Sequence, residues 1–511
     1  MTLTRLARWA HDLSADQVPA AVLQRARLQQ LSSAGALRAG AALPMASALL
    51  RGSATRGKSP LVGTTRHSSR RDSLRYHSAL LGALDFGDVV LWASTGPAAS
   101  AVAWSLVGEH SAQDLDLAIV AANEIAGRVG LAGILAPSSG PAWLSTQACA
   151  AAVTAGRLLG LDAQQLAHAI ALALGSAGRP LSATMAGRGI ATAAAVERGY
   201  TAAELAQQGA QGDLELLDRP QGFFQAHGCT HPLPGALEAL GQAWISETLL
   251  IKSAPGSLFA STATEALTTI LDRHIRAADK RLRPDQWVAC RIQASWPTWA
   301  MQSAATPGLT GLPWNLATLF GVLGRGHALS PEQLNADWFN KELADIETVA
   351  ATVRVEHHWA YTVQAGLSLL ETLAPLMGGL GVKDLQAAAR SLAATGPQLG
   401  VPVGKDELLA LAKVHPRMLL PLLSREGGDL SAVDLSNFSF CLPIDIRLET
   451  TRGGFWPEKR VSPLGATNTD WDAAVELTLK KFAGASEEHS ARAPELLHFG
   501  GAGAELVEQL A

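Results

Sequence analysis

The sequence predicts a mainly α protein with an α+β portion: a large all-helical domain, then a smaller α+β domain, then a return to helix. Two observations carry this. Apolar residues recur at helical spacing through roughly the first 270 residues. Past about residue 285 the texture changes to short stretches of strict alternation, rich in β-branched residues. The 511 residues are 48% hydrophobic and 17% charged, which excludes a disordered chain and allows a sizeable core. The balance of 41 basic and 45 acidic residues, net charge -4, gives no sign of a nucleic-acid or membrane-surface partner.

The elements follow in order. The opening MTLTRLARWAHDL carries Arg5, Arg8 and Asp12 and no apolar stretch, so it reads as a helix and not as a signal peptide. Ser14-Ala-Asp-Gln17 has the spacing of a capping box, with Val22, Leu23, Ala26 and Leu31 behind it as a helical face. Ala151 to Leu159 and Leu166 to Leu174 read as small-residue helices joined around Gly160-Leu-Asp162. This is the most apolar region, yet Arg157, Asp162, Gln164 and Gln165 break it, short of the ~20 apolar residues a membrane helix needs. Residues 193 to 208 continue the helical pattern up to Gly209.

The alternating stretches are Val288 to Ala294, Thr352 to His358 and Ile444 to Thr450, each read as a strand. A helical stretch, Ala360 to Ala412, lies between the last two, and Asp470 to Ala483 is helical again. The cysteines Cys149, Cys229, Cys290 and Cys441 are scattered without a C-x-x-C, which predicts reduced thiols and a cytoplasmic location.

Several motifs carry little chemistry. Gly52-Ser-Ala-Thr-Arg-Gly57-Lys58-Ser59 matches the phosphate-cradling pattern in letters. That chemistry needs a strand before the loop and a helix after it. Here a helix precedes and Pro60 follows, so the segment reads as a basic surface loop. His227-Gly-Cys-Thr-His231 gathers two imidazoles and a thiol, but Gly228, Pro232 and Pro234 make it a loop. His357 and His358 on a strand point to opposite faces and cannot share an ion. Gly378 to Gly381 and Gly500 to Gly503 read as turns or caps. No metal or cofactor is expected. Asp85-Phe-Gly-Asp88 places two carboxylates three apart after an apolar helix, on one face if that helix continues.

The order of these segments resembles the MmgE/PrpD superfamily, which includes 2-methylcitrate dehydratase, cis-aconitate decarboxylase and iminodisuccinate epimerase. The resemblance rests on Leu6 to Trp9 with Val18-Pro19, on Ala79 to Asp88, and most specifically on Ala151 to Asp162 running into Leu166 to Ala173. Ala202 to Gly209, Ile251-Lys252 and Pro457 to Leu464, similar to a closing loop, follow in order. It implies a helical domain over 1–268 and 468–511 and an α+β lid over 269–467, with a helical insertion at about 360–440. It also implies a homodimer, with a small-molecule substrate between helical domain and lid.

The family's enzymes use histidines as acid and base, lysines to hold carboxylates, and a lid tyrosine. Eliminating a group beside a carboxylate builds carbanion-like charge, which nearby cations stabilise. Against that pattern, Gly82 stands where a histidine is expected, Gly87 replaces one Asp, and Thr95-Gly96-Pro97 lacks its histidine. Gly140 to Trp143 lacks another. Arg188 takes a lysine position, Lys252 is kept, Ser261 replaces a histidine and Trp314 the tyrosine. Seven of the 13 Trp fall in the lid; core packing accounts for most of them, and any that face the cleft would make the pocket apolar and aromatic.

Three readings follow. The first is a diverged lyase, isomerase or cyclase acting on a larger, less charged molecule. It gives Asp85, Asp88 and His77 catalytic roles, and Arg188, Lys252, Ser261 and Trp314 substrate-binding roles. The second is a non-catalytic paralogue that binds a ligand or an active homologue. The third is a conventional dehydratase or decarboxylase of a small polycarboxylate.

Overall fold

A computed structural model describes residues 1–53, 56–134, 140–175, 184–229, 232–303, 306–377, 427–451, 453–466, 471–484 and 486–511. The bundle begins with α1 (Thr2–Asp12), α2 (Ala20–Ala41), α3 (Pro44–Gly52) and α4 (Arg70–Ala83). It continues with α5 (Gly96–Ser105), α6 (Ala112–Ala132), α7 (Gly140–Leu158), α8 (Ala163–Leu174) and α9 (Met185–Gln207). Small residues let these helices touch through their backbones. A side chain at Gly199 of α9 would stand 2.7 Å from the Ala151 Cβ of α7. Gly189 meets the Ala79 carbonyl and the Met45 side chain in the same way.

Asp162 opens α8, accepting from the Gln164 and Gln165 amides at 2.8 Å each, while Gln165 reaches back to the Asp162 amide at 3.0 Å. Asp162→Ala is expected to lower stability by about 1 kcal/mol, read as a fall in the urea midpoint at constant slope. The Ser14–Gln17 capping box also forms, but it caps only the single 3-10 turn Ala15–Gln17. Helix α2 starts afterwards, behind Pro19.

Two short ribbons, β1 (Ser59–Pro60) with β2 (His67–Ser68) and β3 (Val89–Val90) with β4 (Leu249–Leu250), lie within the helical part. After α10 (Phe223–Ala226) and α11 (Leu258–Ala278) comes β5 (Trp287–Ala294). It is followed by α12 (Trp296–Ser303), α13 (Leu316–Gly326), α14 (Ala336–Lys341) and α15 (Leu343–Thr352). Then come β6 (Val353–His357), α16 (Trp359–Leu373), β7 (Ile444–Thr450) and β8 (Phe455–Arg460).

The sheet order is β6-β5-β7-β8, with β5 and β6 parallel and the other pairs antiparallel. The three expected strands are therefore present and share one sheet. The fourth corrects the reading of Pro457 to Leu464 as a loop: residues 455–460 form an edge strand. Pro457 is tolerated there because an edge strand does not need every amide for the ladder.

Much of the expected 360–440 insertion, with Gly378 to Gly381, lies outside the described residues. The fold is mainly α with few small sheets, as the sequence predicts. No helix among the described residues is long and apolar enough to cross a membrane.

The chain ends in α17 (Trp471–Ala483), α18 (Glu487–Leu496) and α19 (Gly503–Leu510). Helix α2 holds them. Arg27 donates to the Leu496 and Phe499 carbonyls at 2.8 Å each and pairs with buried Asp116 at 2.6 Å. Arg38 donates to the carbonyls of Phe482 and Leu510. Gly35 lets α17 approach so closely that any side chain there would meet the Lys481 backbone.

Candidate functional site

Helix α4 stops at Ala83, and Asp85 turns the chain with φ +46°. The helix does not continue, which corrects the one-face reading of Asp85 and Asp88. The two carboxylates instead leave the turn toward different cations. The Asp85 carboxylate meets Arg188 of α9 at 3.0 Å and Lys252 at 3.1 Å. The indole of Trp314 also donates to it. The Arg188 guanidinium lies 5.2 Å from the centre of the Trp314 ring, a cation–π stack. Burial raises the Asp85 carboxyl, but the charges of Arg188 and Lys252 and the hydrogen bonds of Lys252 and Trp314 hold it below the usual carboxylate range.

Lys252 spends all three of its donors on the protein: the Asp85 carbonyl at 2.6 Å, the Asp85 carboxylate at 3.1 Å and the Gly256 carbonyl at 3.3 Å. Burial pulls this ammonium below the ordinary lysine range, against the pull of Asp85.

Asp88 is fully buried. It accepts from Ser32 at 2.8 Å, pairs with Lys481 of α17 at 3.3 Å and is also met by the Lys252 backbone amide. Burial raises its carboxyl and outweighs Lys481 and Ser32. Lys481 also donates to the Phe86 carbonyl at 2.8 Å and sits 3.8 Å from the Phe86 ring centre. Burial, opposed by Asp88, brings its ammonium down to about 8. Two lysines thus clamp successive carbonyls of one turn, Lys252 on Asp85 and Lys481 on Phe86.

Four of the seven residues singled out from sequence, Asp85, Arg188, Lys252 and Trp314, make direct contact. Asp88 lies three residues along the same turn. Ser261 sits on α11 and donates to the Ser257 carbonyl of its own helix at 3.4 Å. His77 is elsewhere: its Nε2 accepts from the Val62 amide at 2.9 Å, and its Nδ1 lies 3.2 Å from the Ser105 hydroxyl. Burial pushes its pKa down to about 3, so it is a neutral core imidazole with no contact to the Asp85 cluster.

Lys481 is absent from the sequence reading. The signal was an unaligned lysine pair, Lys480-Lys481, on an otherwise amphipathic helix. His231 lies outside the described residues. Among those described, no three His, Cys, Asp or Glu side chains gather as a metal ion requires.

The spaces beside Gly82 and Gly87 are filled from outside. A side chain at Gly82 would place its Cβ 2.5 Å from the Thr192 Cβ of α9, and one at Gly87 would stand 2.8 Å from the Pro97 Cδ. A histidine at position 82 or an Asp at position 87 would therefore have no room. The chain matches the MmgE/PrpD N-terminal domain over residues 4–234. No curated protein matches it.

Proposed function

Since the chain belongs to the MmgE/PrpD superfamily, we propose that it is a diverged enzyme of that superfamily, a lyase, isomerase or cyclase working at the Asp85 cluster. The reading rests on one observation: Arg188, held between the Asp85 carboxylate and the Trp314 ring. The cluster sets three cations, Arg188, Lys252 and Lys481, against two carboxylates. The balance favours one bound anion, fewer charges than a tricarboxylate carries. Arg188 keeps the most access, with 22% of its side chain exposed against 1% for each lysine.

A carboxylate bound there lies against an indole wall, which suits a larger and more apolar molecule. Asp85 is too acidic for an efficient base at neutral pH. Its role is to aim Arg188; water reaching the cluster takes the proton from the carbon beside the carboxylate, and positioning and cationic stabilisation of the charge left behind carry the step.

The test is deuterium uptake next to the carboxylate of alkyl- and aryl-substituted monocarboxylates in D2O, followed by NMR. Uptake is expected with the intact protein and a loss of about 10²-fold in Arg188→Ala, the scale of losing one oxyanion donor. Equal uptake by both proteins overturns the assignment of Arg188.

One observation favours a second reading, a ligand-binding paralogue without turnover. Every donor of Lys252 is spent inside the protein, as in a structural lysine. That reading predicts saturable binding of the same acids with no uptake. Turnover of 2-methylcitrate or cis-aconitate would support a conventional dehydratase or decarboxylase instead.

A further inference from the structure

A cavity of about 250 Å³ opens on the far side of α9 from the Asp85 cluster, between α3, α4 and α9. Met45, Leu49, Tyr76 and Ile190 give it an apolar lining, and Ile190 is 52% exposed. An open hollow with apolar walls can bury the body of an apolar ligand. The two charged lining residues are already engaged. Asp72 and Arg75 lie 3.7 Å apart, and Arg75 also pairs with Glu197 at 2.6 Å.

The surroundings are not balanced in this way. Arg51 lies in the last turn of α3, next to the lining residues Gly52 and Ser53, and Arg70 begins α4 two residues before Asp72. Lys58 follows Gly57, where any side chain would run into the Ser68 backbone just ahead of α4. Arg51, Arg56, Lys58 and Arg70 are exposed, and none forms a salt bridge among the described residues. Their neighbour Arg71, by contrast, is paired with Glu204. In a chain of net charge -4, this is a local excess of free positive charge beside an apolar hollow.

We propose that this groove binds a small amphiphilic anion, with its apolar body between Met45, Leu49 and Ile190 and a phosphate or carboxylate head toward Arg51, Lys58 and Arg70. Apolar area supplies the affinity and the free cations select the head group. The site is separate from the Asp85 cluster but shares a helical turn with it: Ala186 and Ile190 line the groove on either side of Arg188. The proposal does not depend on the enzymatic reading.

The probe is dodecyl phosphate, kept below its micellar concentration and titrated calorimetrically into the full chain. Inorganic phosphate tests the head alone, and dodecyl maltoside tests the chain alone. Saturable binding of dodecyl phosphate is expected, with both controls at least 10-fold weaker. Ile190→Asp, and separately the triple replacement Arg51→Ala, Lys58→Ala and Arg70→Ala, should each weaken it at least 10-fold. These are surface positions, and circular dichroism checks that each variant folds. Three results overturn the proposal: no saturable binding, binding indifferent to both variants, or no binding while Ile190→Asp splits a dimer, which would give the groove to a second copy of the chain.

Discussion

Lys481→Met is expected to cost about 3–5 kcal/mol of folding stability, because it strips the buried Asp88 carboxyl of its ion-pair partner. Asp88 has no route to solvent and would keep only the Ser32 hydroxyl among its side-chain partners. The double variant Lys481→Met with Asp88→Asn should recover most of the loss, since a neutral amide does not need the ammonium. Urea denaturation of both variants measures this. A single-variant loss below about 1 kcal/mol would mean that Asp88 finds another partner.

The pH dependence gives an independent reading with a definite sign. Lys481 releases its proton in the folded chain at about 8, against 10.5 for an ordinary lysine. Between those values the unfolded chain binds the extra proton, so stability contributed by this group rises with pH. The gap in stability between the native chain and Lys481→Met should therefore widen from pH 7.5 toward pH 10. A gap that stays flat or narrows contradicts the burial of this ammonium.

Gly82→Ala is expected to destabilise by about 1–3 kcal/mol, although alanine is the better helix former. The new methyl group meets the Thr192 Cβ, a backbone-anchored atom that no rotamer change moves. Helices α4 and α9 must separate, which also disturbs the contact between Gly189 and the Ala79 carbonyl. Thr192→Gly on the same chain should restore the loss. Thermal unfolding of the single and double variants checks it.

The Asp85 cluster was legible where residue order along the chain carried it. Asp85, Arg188, Lys252 and Trp314 come from four separate segments, each placed by motif order, and their side chains do meet. His77 shows the limit of that approach. Its fate depends on Val62 and Ser105, which reach it only through the packing of the β1–β2 ribbon and α5. Lys481 was hidden because a lysine pair on a terminal helix reads as solvated, and only the close approach of α17 to Gly35 buries it.

In the sheet, alternation revealed β5, β6 and β7, where apolar residues, several of them β-branched, recur at every second position. It missed β8, whose Pro457 and charged residues Glu458, Lys459 and Arg460 suit an edge and mask the period.

The contact between Gly82 and Thr192 couples the two positions. While the threonine of one helix fills the space beside Gly82 on its neighbour, an imidazole placed at position 82 in a single step is penalised. Residue 192 must shrink first, a change that brings no packing gain of its own. Grafting one larger residue at position 82 should therefore fail on packing, whatever chemistry it carries.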